Sequence, residues 1–180
     1  MAESRPPKID RSLGTSEPLV PPLYQSSVYT LPDLDALDRI MNAEESGFIY
    51  ARDSHPNAKW LGEELAAAEG AAWGVICGSG MAAITAGLLS LTQQGDRIVA
   101  SNRLYGRTSQ LLAQELPRYG VQTTFVDSSD PEEVRAALEQ PARALFVETM
   151  SNPLLRLADL EAMAGIAQES GCSLLVDNTF

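Results

Sequence analysis

Five short apolar runs constrain this chain more than any other feature: WGVIC (73–77), RIVA (97–100), VQTTFV (121–126), ALFVE (144–148) and SLLVD (173–177). Each is apolar almost throughout, with little alternation, which is the pattern of a strand covered on both faces. Between them lie segments of helical character. AKWLGEELAAAE is closed by Gly70, and MAAITAGLLSL follows the first strand. A helix from about Thr108 to Arg118 stops at Gly120, and Asp130-Pro131-Glu132-Glu133 opens another. The last runs from Ala158 to Ser170 and is capped by Gly171. Strand and helix in strict turn with short connections predict an α/β fold: a mostly parallel sheet with helices on both faces. Strand order does not follow from the sequence.

Residues 1–56 read differently. Pro6, Pro7, Pro18, Pro21, Pro22 and Pro32 interrupt any regular element, and LVPPLYQSSVY reads as an extended arm. One short helix is expected from Asp33 to Asn42, with Pro32 in its first turn. The arm has no core of its own and is expected to pack on another surface, leaving residues 57–180 as the α/β domain. The balance of 13 basic to 24 acidic residues, a net charge of -11, argues against a nucleic-acid partner. It fits a soluble cytoplasmic protein. No apolar stretch approaches the roughly 18 residues of a membrane helix, and MAESRPPKIDRSLG lacks a signal-peptide core. Cys77 and Cys172 make neither a disulfide framework nor a metal site.

In open parallel sheets, ligands bind beyond the carboxyl ends of the strands. At that edge this chain places Gly78-Ser79-Gly80, Ser101 to Tyr105, Asp127, Glu148 to Asn152 and Asp177-Asn178-Thr179. CGSGM (77–81) joins a strand to a helix through small residues. It is either a simple connector or an anion site made of free N–H groups at a helix start. Tyr105 can cover the sheet end or stack on a planar ligand. Asn152, stiffened by Pro153, is a turn residue or a hydrogen-bonding group. Asp177 ends a buried strand, where a carboxylate needs a cap, an arginine or a cationic ligand. A strand that stops so near Phe180 leads us to expect the first half of a longer protein.

Taken in order, these loops resemble the large domain of fold-type I pyridoxal-phosphate enzymes. More narrowly, YARDSHPN, CGSGMAAI, LYGRT, ETMSNPLLRLADL and LLVDNTF are similar to the Cys/Met-metabolism (transsulfuration) family, from about Tyr24 to Phe180. The resemblance implies pyridoxal 5′-phosphate as cofactor and Tyr105 and Asp177 as catalytic residues. It implies that Gly80 and Met81 hold the phosphate, that Tyr105 stacks on the ring and that Asp177 pairs with the ring nitrogen. Asn152 and Thr179 are implied beside the ring. Tyr50 and Arg52 match a Tyr-x-Arg that reaches the cofactor phosphate of a neighbouring subunit, so a homodimer or homotetramer with shared sites is implied.

The implied reactions are those of sulfur amino-acid metabolism. γ-Replacement on an activated homoserine, as in a cystathionine γ-synthase, is expected first. A cystathionine γ-lyase or O-acetylhomoserine sulfhydrylase activity is the alternative, and a non-catalytic cofactor-binding module is the alternative of another class. Three departures bear on this. His55-Pro56-Asn57 stands where the family reads Asn-Pro-Thr, and His55 is expected to be a local turn residue. Arg107 stands where methionine γ-lyases carry a cysteine. The family's cofactor-linking lysine belongs to a Ser-x-Thr-Lys stretch downstream of Asp-Asn-Thr-Phe, whereas the two lysines here, Lys8 and Lys59, lie elsewhere. Residues 1–180 by themselves are therefore expected to be inactive.

Overall fold

The structure, a computed structural model, describes residue 16 and residues 18–180. The chain divides into two compact units, the first ending at Ile76 and the second running from Cys77 to Phe180.

In the first unit, α1 (Leu34–Met41) starts where Asp33 accepts the N–H of Ala36 at 2.8 Å. Asp33 is the N-cap, so Pro32 precedes the helix and does not enter its first turn. A short antiparallel bridge pairs Val28 with Tyr50, and the Tyr29 and Phe48 rings pack at 5.6 Å. α2 (Pro56–Ala68) is capped by His55, whose Nδ1 accepts the N–H of Asn57 at 3.3 Å. Asn57 in turn fastens the arm: its side chain accepts from Tyr24 N–H and donates to the Pro22 carbonyl, both at 2.8 Å. α2 ends at Gly70, at φ +63°, with Ala71 N–H returning to the Ala66 carbonyl. Gly62 and Gly74 meet backbone to backbone. A Cβ on Gly62 would lie 2.7 Å from the Gly74 carbonyl oxygen, and one on Gly74 2.5 Å from that of Gly62.

WGVIC does not form the expected strand. Residues 73–77 join no ladder, and Trp73 and Val75 are exposed. An apolar run records a preference for burial, but a strand also requires a neighbour for its N–H and C=O groups, and no described strand flanks this one.

The second unit holds the sheet: β1 (Arg97–Ser101), β2 (Gln122–Val126), β3 (Ala144–Glu148) and β4 (Ser173–Asp177), all parallel in the order β2-β1-β3-β4. The four runs expected here as strands all form. β1 and β3 are buried almost completely, while the outer strands β2 and β4 remain partly exposed. Alternate residues feed two cores. Ile98, Ala100 and Phe146 pack with Leu88 of α3 (Gly80–Leu91) and with Leu112 and Leu116 of the following helical segment. Val99, Leu145 and Val147 pack with Val134 and Leu138 of α5 (Pro131–Leu138) and with Met163 and Ile166 of α6 (Leu160–Ser170).

The segment that begins as α4 (Gly106–Gln110) changes pitch twice, through a π turn at Leu111–Glu115 and a 3-10 turn at Leu116–Tyr119. Leu116 N–H bonds the Leu111 carbonyl five residues back, and Pro117 has no N–H to continue an α ladder. The side-chain caps Asp130 and Asp159 start α5 and α6, the latter two residues later than its periodicity suggests. Gly120 and Gly171, both at positive φ, end the helices before β2 and β4.

Phe146→Ala should lower stability by about 3–5 kcal/mol, because a large aromatic leaves a closed core. Leu154→Ala, at a loop position 65% exposed, should stay within about 0.5 kcal/mol of the parent. Urea denaturation followed by circular dichroism checks both.

Candidate functional site

The strand order fixes where a ligand has room. From β1 the chain moves to β2 on one side, then crosses back to β3 on the other, so the crossover helices change faces between β1 and β3. Connections leave the carboxyl ends of β1 and β3 in opposite directions, and a crevice opens between them. A cavity of about 410 Å3 lies there, lined by Ser79, Gly80, Met81, Tyr105, Glu148, Met150, Asn152, Asp177, Thr179 and Phe180. Gly80, Met81, Tyr105, Asn152, Asp177 and Thr179, six of the residues singled out in the sequence, share this one cavity.

One wall is the start of α3. Ser79 caps it, its hydroxyl accepting the N–H of Ala82 at 3.1 Å, and Ala83 N–H bonds the Ser79 carbonyl. The N–H groups of Gly80 and Met81, at the first two helical positions, have no intrahelical acceptor by geometry. An anion placed against them meets two donors and the positive end of the helix dipole.

The opposite wall comes from β3 and β4, which are in register up to the pair Glu148–Asp177. Asp177 Oδ1 accepts the Thr179 hydroxyl at 2.5 Å and the Thr179 N–H at 3.2 Å. Both bonds fall on Oδ1, which leaves Oδ2 with no protein donor among the described residues. A carboxylate with one oxygen committed and one free suits a cationic N–H donor.

Tyr105 follows β1. Leu104 before it and Thr108 after it are buried, and the Tyr105 N–H donates to Glu148 Oε1 at 2.6 Å. Glu148, at 8% exposure, is the buried acid of the site. Burial pushes its carboxyl above the usual range, and the charge of Asp177 acts the same way; the N–H groups of Tyr105 and Asn152 offset part of this. The sequence reading passed over Glu148 as a site residue. The signal was present, since a carboxylate ending the wholly buried run ALFVE raises the same question as Asp177. Asn152 lies in the loop after β3, joined to Pro153 by a cis peptide bond.

Tyr50 and Arg52 belong to the other unit. There the Arg52 guanidinium lies 4.7 Å from the Tyr50 ring centre and pairs loosely with Asp53 at 3.7 Å. Arg107 is exposed and bonds Gln110 at 3.0 Å. No helix among the described residues is long and apolar enough to cross a membrane, and no cluster of potential metal ligands occurs among them.

The model of the Cys/Met metabolism PLP-dependent enzyme family matches residues 8–180. The chain belongs to that family. Its cofactor is pyridoxal phosphate, and the free N–H pair at α3 and the half-committed Asp177 fit its phosphate and its ring nitrogen. Among curated relatives, the O-acetyl-L-homoserine sulfhydrylase of Leptospira meyeri is 39% identical over 88% of this chain and 36% of its own length. The L-methionine gamma-lyase of Fusobacterium nucleatum is likewise 39% identical, over 90% of this chain and 41% of its own. The chain thus spans about two fifths of the length of these relatives. Among solved structures, an O-acetylhomoserine (thiol)-lyase (metY) of Campylobacter jejuni, which carries an N′-pyridoxyl-lysine-5′-monophosphate, superposes with a TM-score of 0.83 at 35% identity over 88% of this chain and 39% of its own. The metB protein of Corynebacterium glutamicum gives 0.82 at 34% identity, over 91% and 40%. This family member therefore has the fold of fold-type I pyridoxal-phosphate enzymes, with the four-stranded sheet as part of their large domain.

In the loop after β2, the hydroxyl and N–H of Ser129 hold the Asp127 carboxyl below its usual range; burial pushes the other way, and Arg103, at 2.5 Å, adds to the lowering. A carboxyl depressed in the folded state stabilises the fold above its unfolded pKa of about 3.9 and loses that contribution as pH falls through the folded value. Asp127→Asn should therefore be less stable than the parent at pH 7, and the two should converge in strong acid; urea midpoints across pH check this.

Proposed function

We propose that the protein carrying this chain is a pyridoxal-phosphate-dependent transsulfuration enzyme that performs γ-replacement on an activated homoserine, with cysteine as the thiol in the manner of a cystathionine γ-synthase. The observation that carries this reading is the single cavity that joins a helix start with free N–H groups, an aromatic ring and an aspartate with a free carboxylate oxygen. Relatives named for O-acetylhomoserine chemistry support the choice of an activated homoserine.

When bound, the cofactor supplies an electron-withdrawing ring for the substrate's α-carbon. The chain's own residues do the rest. The Gly80 and Met81 N–H groups bind the phosphate. Asp177 Oδ2 holds a proton on the ring nitrogen, while Thr179, bonded to Oδ1, fixes the rotamer of that carboxylate. Tyr105 would stack on the ring and help to handle protons or the leaving group. Asn152 offers its amide to the ring hydroxyl or the substrate carboxylate. The relatives also include a cystathionine gamma-lyase of Bacillus subtilis, 38% identical over 88% of this chain and 40% of its own length. γ-Elimination is therefore the competing reaction at the same site.

The full-length protein should convert O-acetylhomoserine and cysteine to cystathionine, faster than it joins O-acetylhomoserine to sulfide or cleaves cystathionine or methionine. Product analysis by liquid chromatography ranks the four. Turnover of none of them by protein with bound cofactor would sink the assignment.

The same reading makes the site shared between subunits, with Arg52 serving a neighbour's phosphate. Arg52→Ala should weaken cofactor affinity by about 2–5 kcal/mol while leaving the unfolding midpoint nearly unchanged. Oligomers mixed from Arg52→Ala and Asp177→Asn subunits should regain part of the activity that each lacks alone. Recovery is read against unmixed controls.

A further inference from the structure

Glu148 is the one charged residue among the described residues that is buried in the fold. A buried carboxylate is costly unless a donor meets it, and here the donor is informative. The donor is the N–H of Tyr105, in the loop after β1, 2.6 Å from Glu148 Oε1. Glu148 itself is held firmly, because β3 is laddered to β4 as far as the pair Glu148–Asp177. Tyr105 is not. It precedes α4 without any side-chain cap bond and is 47% exposed.

We propose that Glu148 is a positioning residue: its carboxylate clamps the loop after β1 to the end of β3 through the main-chain N–H of Tyr105, and so holds the Tyr105 ring across the cavity. What the ring stacks on rests on the cofactor reading above; the clamp is made by protein groups alone. A side chain within the loop after β1 cannot do this, since it would move with the loop. An acceptor at the end of the most buried strand supplies a fixed reference for that loop.

The test uses the full-length protein with Glu148→Gln, which keeps the volume and one carbonyl acceptor, and Glu148→Ala, which removes both. Hydrogen exchange at the Tyr105 amide should quicken by about tenfold in the alanine variant and by less in the glutamine variant, with the Val99 and Phe146 amides unchanged. The visible circular dichroism of added pyridoxal phosphate should fall in the same order, and kcat should drop by up to about a hundredfold with KM little altered. In a Tyr105→Ala background, the kcat loss from Glu148→Gln should vanish. Parent-like exchange at Tyr105 in both variants, or losses fully additive with Tyr105→Ala, would overturn the clamp. If the alanine variant loses protection at Val99 and Phe146, the glutamine variant alone decides. If the parent protein binds no pyridoxal phosphate, the cofactor reading fails, and amide exchange alone decides the clamp.

Discussion

The parallel pairing of β1 with β3 is the interaction on which the second unit depends. Ile98, Val99 and Ala100 lie against Ala144, Leu145 and Phe146, partners more than forty residues apart in the chain, and all six are buried. Closing that distance carries a loop-entropy cost that local contacts cannot offset, so the two cores on either face must form with it. Once β1 and β3 are neighbours, β2 and β4 are confined to the outer edges, and the helices must split between the faces. The gap that results at the carboxyl edge is a topological product, made before any side chain in it is chosen.

Much of this was legible. The limits of β3 and β4 coincide with the runs ALFVE and SLLVD, and Asp130, Gly120 and Gly171 punctuate the helices as their residue types suggest. The site residues were legible because a parallel sheet delivers every strand end to one edge, so the loops after successive strands can be read as one list. What a list lacks is adjacency. That Tyr105 meets Glu148 follows from β1 lying beside β3, and strand order is decided by long-range packing that leaves no local trace. WGVIC was misread for a related reason: its apolarity is local, but the ladder partner that makes a strand is not.

His55 and Asn57 show a departure from the family pattern being absorbed by local chemistry. A ring nitrogen at the cap position accepts the N–H that an asparagine oxygen would otherwise take, and Pro56 fits at the first helical position because it has no N–H to lose. Asn57, beyond it, spends its side chain on the arm through Pro22 and Tyr24. Helix start and arm are thereby tied by one residue, and the only histidine of the chain serves as the cap of α2.

The contact between Gly62 and Gly74 sets a limit of another kind. Most tight spots in a protein have slack, because a large residue on one side can be traded for a small one on the other. Here both partners are already glycine, and the obstacle to each is the other's main-chain carbonyl, which no substitution removes. Neither position can relieve a change at the other. In divergence or in a mutant library these two sites cannot co-vary, and each must be held as glycine independently for α2 and the segment after it to keep their distance.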